Sequence, residues 1–474
     1  MKSVKLLAVA VSLAFTLPAW ADKVYDVDLA IAGGGAGGLV AGVAAVEGGL
    51  KTVILEKNAY TGGAGLFMEG TFAVESFLQK KAGVKYTPIE AFNKMAYYHH
   101  WRINAPLVKK FIDTSAETIQ WVQDHGVPWK EVKTARRNNP ILMWHIYPKA
   151  GALPEKMTEL FKKQGGELLL STPAEKLLYE NGKVVGIVGT AKNGEKVTVR
   201  AKNVILATGG YNFNTEMVRE YSGVEMTAVG APGRTGDGIR MAFEVGAVGD
   251  NIGPMQANGA FMPAEGEAIC NGPNRELRAM FRQGLLYVDG NGTRFFNEEM
   301  TADWPMASNA IMRNGTWAYI VFDQATVEEF STKGKGYPNP CGNWIQRHQA
   351  ATQLEELIAA NEKKGNVFIG QTIEEVAKKA GMDPATLKAT CEQMTKFARQ
   401  GRDDQFGKDP YYLREVSKGP FYIVRGKLDT PTSLNGVRVT SDLEVVDKNN
   451  HVIPGLYAIG HDAGGVYLTL GNLD

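Results

Sequence analysis

The chain has 474 residues, 44% hydrophobic and 22% charged, which is the composition of a globular protein with room for one large or two medium domains. Its 52 Lys and Arg nearly balance its 51 Asp and Glu, so the overall charge gives no reason to expect a nucleic acid or an acidic lipid as partner. Three widely spaced cysteines exclude a disulfide framework and a cysteine metal cage, and no Cys-x-x-Cys-His motif is present to attach a c-type haem.

The first 21 residues differ in character from the rest of the chain. Lys2 and Lys5 precede an apolar run from Leu6 to Leu17, and Ala19-Trp20-Ala21 follows with the small-x-small pattern of a signal peptidase site. The apolar run is shorter than the roughly 20 residues that span a bilayer. This pattern predicts a cleavable signal peptide over residues 1–21 rather than an uncleaved amphipathic N-terminus. It predicts export without membrane insertion, to the periplasm if the cell is a Gram-negative bacterium.

The next 35 residues carry the pattern of a βαβ unit. Val24 to Ile31 is a buried strand, Leu39 to Gly49 has the small apolar composition of a closely packed helix, and Lys51 to Leu55 is a second strand ended by Glu56. Between the first strand and the helix, Gly33-Gly34-Gly35-Ala36-Gly37-Gly38 satisfies G-x-G-x-x-G. The glycines allow a tight turn and close approach of a pyrophosphate to the helix N-terminus, and the acid is placed to bind a ribose hydroxyl. The segment predicts dinucleotide binding.

Four later segments favour FAD over NAD as the dinucleotide. They are the glycine turn Tyr60 to Gly65, the strand end Ile205 to Gly210, the segment Thr235 to Arg240 and the late strand Leu456 to Asp462. In this order they look like the repeated FAD contacts of flavoproteins of the two-dinucleotide-binding type. The residues predicted to contact FAD are Gly33, Gly35, Ala36, Gly38, Glu56, Lys57, Gly62, Gly63, Ala64, Gly65, Gly70, Ala174, Ala207, Thr208, Gly209, Gly210, Asp237, Gly460 and Asp462.

The character of the sequence changes from about Asn258 to Lys418, where loops lengthen and two helical patterns, Thr352 to Lys364 and Ile373 to Gln400, dominate. Strand-like residues return at Phe421 to Val424. We therefore expect an α/β fold in which a Rossmann-like FAD domain, residues 22–257 and 421–474, is interrupted by an inserted α+β capping domain, residues 258–420.

These motifs resemble the flavoprotein subunits of the fumarate reductase and succinate dehydrogenase superfamily, in particular its soluble periplasmic fumarate and urocanate reductase-like branch. The resemblance covers essentially the whole mature chain and adds Gly292-x-Arg294-Phe295-x-Asn297-Glu298 and Pro454-Gly455-Leu456-Tyr457 to the glycine motifs. It implies a substrate site between cap and flavin. The implied chemistry is hydride transfer from flavin N5 to an activated C=C bond, with an Arg as proton donor.

The motif positions that the family uses for fumarate depart from its pattern. The His of the family's Gln-x-His-Pro-Thr segment falls on Asn258, and its acid Arg falls on Ala302. The Glu and Arg of its proton relay fall near Arg278 and Phe281, and its His-His-Thr-x-Gly-Gly segment is replaced by residues 431–436. Fumarate reduction by the usual residues is therefore not expected.

Other residues are candidates for the missing chemistry. Arg275, Arg278 and Arg282 form a basic segment that is either a solvated face or a carboxylate-binding group, and Arg282, with Arg278, is the first candidate for catalysis. His145 is either a catalytic residue or a packed structural one, and Tyr287 either a phenolic acid or part of the core.

Asn258 and Thr432 would be neutral hydrogen-bonding substitutes that bind a substrate less anionic than a dicarboxylate. The expected function is FAD-dependent reduction of the C=C bond of an α,β-unsaturated organic acid other than fumarate. Electrons would come from a separate c-type cytochrome or flavoprotein. Two alternatives remain: a dehydrogenase that forms C=C bonds, as in ketosteroid dehydrogenases, and a catalytically silent FAD-binding subunit of a larger complex. The chain stops at Asp474, before the substrate-binding Arg and helix with which relatives continue, so a truncated C-terminus is also expected.

Overall fold

The computed structural model describes residues 23–136, 139–257, 260–261, 274–334 and 349–466. Its strands, β1 to β19 in chain order, are Lys23–Ala32, Thr52–Leu55, Gly70–Phe72, Glu131–Arg136, Asn139–Ile146, Glu167–Leu169, Ala174–Glu180, Lys183–Thr190, Lys196–Leu206, Thr227–Ala228, Met255–Gln256, Ala260–Phe261, Leu286–Val288, Trp317–Asp323, Val367–Gly370, Phe421–Thr430, Thr432–Ser433, Glu444–Val446 and Val452–Ala458. Its α-helices, α1 to α13, are Ala36–Glu47, Phe77–Lys81, Pro88–Tyr98, Ala105–Asp124, Ala152–Lys163, Thr215–Ser222, Asp237–Glu244, Arg275–Ala279, Trp304–Arg313, Gln324–Thr332, Leu354–Glu362, Ile373–Ala380 and Pro384–Gln400. Short 3₁₀ segments occupy Gly63–Phe67, Met280–Arg282, Glu298–Ala302, Pro410–Tyr412 and Gly460–Asp462.

The larger sheet has the strand order β18-β19-β9-β1-β2-β6, with β8 and β7 continuing from β9 as a meander. The strands β19, β9, β1, β2 and β6 are parallel to one another, so their carboxyl ends meet at one edge. The predicted βαβ unit is confirmed as β1, α1 and β2. This is the open α/β arrangement in which ligands bind beyond the carboxyl ends of the strands.

Close packing of α1 on this sheet depends on small residues in the helix. A Cβ added at Gly42 would lie 2.9 Å from Ile54 Cδ1 and 3.0 Å from a ring carbon of Phe161, which belongs to α5. Glycine at this position therefore lets both neighbours approach the helix backbone. The two large side chains are fully buried, and each contributes about 1.5–3 kcal/mol by leaving water.

The cap is built on a second, mixed sheet with the order β10-β16-β14-β13, to which β12 and β15 add through β16. Helices α12 and α13 pack on it through Val376, Leu387, Cys391 and Met394, and Cys391 is a buried free thiol. The expected insertion of an α+β cap into an α/β flavin domain agrees with this architecture.

The chain returns from the cap later than the sequence pattern suggested. The predicted return at Phe421 falls at the start of β16, whose residues 421–427 pair with β14 and β15 in the cap sheet. The change of sheet occurs instead between Thr430 and Thr432, where β17 pairs with β11, Gln256 opposite Thr432. An apolar strand pattern is the same in either sheet, so the sequence signal carried no information about the partner strand.

In the parts of the chain that the structure describes, no helix is long and apolar enough to cross a membrane.

Candidate cofactor and substrate site

The glycine loop after β1 has the backbone geometry that the motif predicts. Gly33 has φ +107°, and a Cβ there would collide with the carbonyl oxygen of Ala207 at the end of β9. A Cβ at Gly38 would collide with the carbonyl oxygen of Gly33, so this glycine is needed for α1 to start against the strand. Gly37 has no such restriction, because its Cβ would meet only the Ile459 side chain at 3.6 Å.

The N-terminus of α1 is open towards the carboxyl edge of the sheet. Its N-cap is Gly35, which offers no side-chain acceptor, and its first turn has no acidic residue. A bridge between Gly35 and Gly62, with a 2.8 Å hydrogen bond from Gly62 N to Gly34 O, brings the second glycine turn beside this helix end. The N-terminus of α1, the positive end of the helix dipole, therefore lies beside both glycine turns, where a pyrophosphate can bind.

Glu56 ends β2 and lies under the glycine loop. Its Oε2 accepts a 2.7 Å hydrogen bond from Gly34 N and its Oε1 a 2.8 Å hydrogen bond from Asn58 N. A carboxylate has about four lone-pair sites, so two remain for a ribose hydroxyl. The side chain therefore holds the loop in place and can also bind a ribose.

Asp462 joins the ends of β9 and β19. Its buried carboxylate accepts hydrogen bonds from Thr208 N at 2.5 Å, Thr208 Oγ1 at 2.8 Å and Gly210 N at 3.1 Å. Burial raises the pKa of Asp462, while these donors favour its charged form. The carboxylate thus fixes the Thr208–Gly210 turn from behind, and a direct contact of Asp462 with FAD stays a prediction.

Lys57 and Asp237, both predicted to contact FAD, contact each other. Lys57 Nζ lies 2.6 Å from Asp237 Oδ2 and 2.9 Å from Thr235 Oγ1. Burial alone would raise the pKa of Asp237, but the bonds from Lys57, Thr235 and Arg240 lower it below its usual value. The pair joins the end of β2 to the start of α7 beside the glycine loop.

The remaining predicted cofactor residues differ in what surrounds them. A Cβ at Gly65 would lie 2.6 Å from Ala36 Cβ, so Gly65 and its neighbours Gly63 and Ala64 pack the second glycine turn onto α1. Gly70 is explained by strand packing, because its Cβ would lie 2.5 Å from Trp144 Nε1. Two others differ from these: Ala174 begins β7 and packs against the core, and Gly460, with φ +61°, has open space where a Cβ would lie.

His145 is held on both ring nitrogens inside the small sheet formed by β3, β5 and β4. Nε2 lies 2.6 Å from Ser76 Oγ and Nδ1 3.2 Å from Met143 O, while Trp129 packs edge-on at 5.8 Å between ring centroids. The side chain is completely buried, and burial lowers its pKa. These contacts fit a structural role, and they give the catalytic interpretation of His145 no support.

The basic segment of the cap divides into two environments. Arg275 is exposed, whereas Arg278 and Arg282 are only 4% and 6% exposed, so the interpretation as a solvated face fails for these two. Tyr287 donates a 2.6 Å hydrogen bond from its hydroxyl to Phe281 O, and burial raises its pKa, so it retains its proton. Arg278 and Arg282 stay candidates for catalysis.

At the crossing from cap to flavin domain, the predicted substrate-binding residue Thr432 lies beside two residues that sequence reasoning overlooked, His461 and Arg234. Thr432 is buried, and its Oγ1 lies 3.1 Å from Nδ1 of the half-buried His461. Arg234, also buried, donates to the carbonyl oxygens of Ala231 at 3.0 Å, Val229 at 3.2 Å and Pro431 at 2.5 Å.

This group was hard to foresee because the residues are far apart in sequence. The one local signal was that His461 directly precedes Asp462 at a strand end. Asn258, the other predicted substrate-binding residue, lies outside the described residues.

Comparison with known proteins places the chain in a family. A family profile described as FAD binding domain matches residues 28–470, and the chain belongs to this family of FAD-binding flavoproteins. The vinyl phenol reductase of Lactiplantibacillus plantarum is 30% identical over 449 residues, which cover 93% of this chain and 90% of that protein. The urocanate reductase of Eggerthella lenta is 26% identical over 453 residues, 93% of this chain and 70% of the relative.

Solved structures agree on the fold. A flavocytochrome c3 fumarate reductase in its open conformation has a TM-score of 0.70 at 24% identity, over 94% of this chain and 74% of that one. The 3-ketosteroid delta1-dehydrogenase of Sterolibacterium denitrificans has a TM-score of 0.77 at 19% identity, over 93% of this chain and 94% of that one. The resemblance to the fumarate reductase and succinate dehydrogenase superfamily is confirmed, and the chain is an FAD-dependent oxidoreductase of fumarate reductase type.

The geometry of the carboxyl edge fits FAD. The uncapped N-terminus of α1, the spare lone pairs of Glu56 and the open Gly460 turn line one side of the sheet, where a dinucleotide would extend across the strand ends.

Proposed function

We propose that this oxidoreductase reduces the C=C bond of an α,β-unsaturated organic acid, or of a closely related conjugated alkene such as a vinyl phenol, and that fumarate is not its preferred substrate. The observation that carries the proposal is that the described groups at this crossing are either uncharged or, in the case of Arg234, already bonded to the backbone. His461 and Thr432 lie at the crossing into the cap, and the guanidinium of Arg234 nearby is buried and bonded to three backbone carbonyl groups. A dicarboxylate would require exposed cations there.

The relatives support the same class of reaction. One relative is named for the reduction of vinyl phenol and another for the reduction of urocanate. Both of these compounds contain a conjugated C=C bond. Their sequences align with nearly the whole of this chain, so the flavin domain and the cap are both included in the similarity.

The roles of the chain's own residues in this reaction follow from their positions. The first-turn N–H groups of α1 would bind the pyrophosphate, Glu56 a ribose hydroxyl, and the turn fixed by Asp462 would support the flavin end of the cofactor. Bound FAD supplies a hydride equivalent at flavin N5. The cap would cover the site and exclude water, and its buried Arg278 and Arg282 are the candidates for delivering a proton.

We further propose that the protein acts outside the cytoplasm and receives electrons from a separate c-type cytochrome or flavoprotein. The support is the signal-peptide pattern of residues 1–21 and the absence of a Cys-x-x-Cys-His motif from the sequence. Fractionation of cells that express the full chain tests export. Recovery of the protein in the cytoplasm alone, with residues 1–21 still attached, would contradict the proposal.

Substrate reduction is tested with reduced methyl viologen as electron donor and a panel of acceptors. The panel contains fumarate, urocanate, itaconate, cinnamate, 4-hydroxycinnamate and 4-vinylphenol, and products are identified by mass. We expect saturable turnover with a monoanionic or neutral member and slow turnover with fumarate. Fastest turnover with fumarate would contradict the proposal, and no turnover by FAD-loaded protein would favour a silent FAD-binding subunit.

A further inference from the structure

The imidazole of His461 lies at the junction of the two sheets. Its backbone belongs to the 3₁₀ turn after β19, and a Cβ at Gly210 would lie 3.3 Å from His461 Cβ, so the side chain packs against the turn that ends β9. Its ring partner, Thr432, lies in β17, where the chain returns from the cap and pairs with β11. Ligand pockets occur preferentially at such domain junctions.

Thr432 selects one tautomer of this imidazole. Its Oγ1 donates to Ser433 O at 3.0 Å and lies 3.1 Å from His461 Nδ1. A hydroxyl has one hydrogen, so both contacts are hydrogen bonds only if Nδ1 carries a proton and donates to Thr432. The other ring nitrogen, Nε2, then carries a lone pair.

The surroundings keep the imidazole neutral. Burial, and then the positive charge of Arg234, lowers the pKa of His461 to about 4. Burial lowers the pKa of Arg234 to about 10, so this guanidinium is still cationic at neutral pH, and its bond to Pro431 O holds the residue before Thr432. In the part of the chain that the structure describes, Nε2 has no hydrogen-bond partner, and the side chain is half-buried rather than enclosed.

We propose that His461 is a specificity-determining residue whose Nε2 accepts a hydrogen bond from a neutral hydroxyl group of the substrate, as in a hydroxyphenyl ring. The inference rests on the proposed function, because it assigns the substrate of that same site. A neutral acceptor has no proton to offer a carboxylate, and its lone pair would repel one. The carboxylate or vinyl end of the substrate therefore points away from His461, and the hydroxyl end towards it.

The test compares two probes that differ by the hydroxyl alone, 4-hydroxycinnamate and cinnamate. Their binding to oxidised, FAD-loaded protein is followed by the change in flavin absorbance, so the measurement does not depend on turnover. We expect the unsubstituted protein to bind 4-hydroxycinnamate about tenfold more tightly, the factor that one hydrogen bond provides. His461→Phe should reduce this ratio to about one while the Kd of the apoprotein for FAD changes less than threefold.

Thr432 supplies a matched pair of variants. Thr432→Ser retains the hydroxyl that fixes the tautomer and should keep the preference, whereas Thr432→Val removes it and should weaken the preference. These variants and the unsubstituted protein still decide the question if His461→Phe does not fold.

The inference is overturned if the unsubstituted protein binds the two probes equally or binds neither, or if His461→Phe keeps the preference. It is also overturned if His461→Phe loses FAD affinity more than tenfold with the preference intact, because His461 would then serve the cofactor. The two proposals can fail separately. If no alkene is turned over but His461→Phe still removes the preference for the hydroxyl group, the proposed function is wrong and the role of His461 is retained.

Discussion

Four buried charged side chains hold the cap together, and replacement of one of them gives the sharpest test of its energetics. Arg294 donates to Glu298 through Nε at 2.8 Å and Nη2 at 2.7 Å, and Nη2 also lies 2.8 Å from Asp403 Oδ2. Lys408 Nζ lies 3.2 Å from Glu298 Oε2, and Tyr287 N donates to Glu298 Oε1 at 3.2 Å. All four charges are buried, so the motif that the sequence shares with its family is structural here.

Glu298→Gln keeps the size of the side chain but removes its charge. Arg294 then keeps its ion pair with Asp403, whereas Lys408 loses its ion pair with Glu298, and the amide NH₂ of the new glutamine faces a donor of Arg294. Breaking a buried ion pair costs about 3–5 kcal/mol, because the remaining charge is left in a medium that solvates it poorly. Since Asp403 still compensates Arg294, we expect a loss near the lower limit, about 3 kcal/mol.

Urea unfolding of the FAD-loaded protein, followed by far-UV circular dichroism, measures this loss as a lower midpoint. Arg402→Gln is the matched control, because Arg402 pairs with Asp404 in the same loop but is exposed to solvent. We expect the control to match the unsubstituted protein. An unchanged midpoint for Glu298→Gln would refute the assignment of a stabilising role to the network.

Three further predictions follow from single contacts. Gly38→Ala should weaken FAD binding at least 100-fold, about 2.7 kcal/mol, whereas Gly37→Ala should bind FAD normally. Titration of the two apoproteins with FAD measures both affinities, and equal affinities would contradict the loop geometry. His145→Phe should destabilise the protein by about 1–3 kcal/mol through its unpaired neighbours yet leave the rate per folded, FAD-loaded molecule unchanged; a lost rate in folded protein would restore its catalytic role. Burial alone would raise the pKa of Asp403, but the hydrogen bond from Arg294 holds this pKa well below its usual range. The contribution of Asp403 to stability is therefore complete above the ordinary Asp pKa, about 4, and is lost as the pH falls below that value. Unfolding midpoints from pH 7 to 3 should fall less steeply for Asp403→Asn than for the unsubstituted protein, and parallel curves would contradict this.

The parts of the fold that the sequence predicted are those set by local spacing. Gly33 to Gly38, the helix after them and the acid at Glu56 lie within about 25 residues, so strand, turn and helix periods alone place them. The change of sheet at Thr432 has no local signal, because an apolar strand shows its period but not its partner.

The substrate side of the site depends on contacts between distant segments. Thr432 and His461 are 29 positions apart, and Arg234 bonds to a carbonyl 197 positions away. The environment of the cap arginines also depends on the assembled fold, because three basic residues close together in the sequence do not show that Arg278 and Arg282 are buried. Such residues become candidates only when the sheets are assembled.

The proposed function requires that the FAD of this protein passes its electrons to a conjugated C=C bond other than that of fumarate. Anaerobic stopped-flow mixing of chemically reduced, FAD-loaded protein with 4-hydroxycinnamate or fumarate, with free reduced FAD as control, tests this claim most directly. We expect 4-hydroxycinnamate to reoxidise the bound flavin rapidly, and fumarate to do so no faster than it reoxidises the free cofactor. Rapid reoxidation by fumarate, with none by 4-hydroxycinnamate, would contradict it.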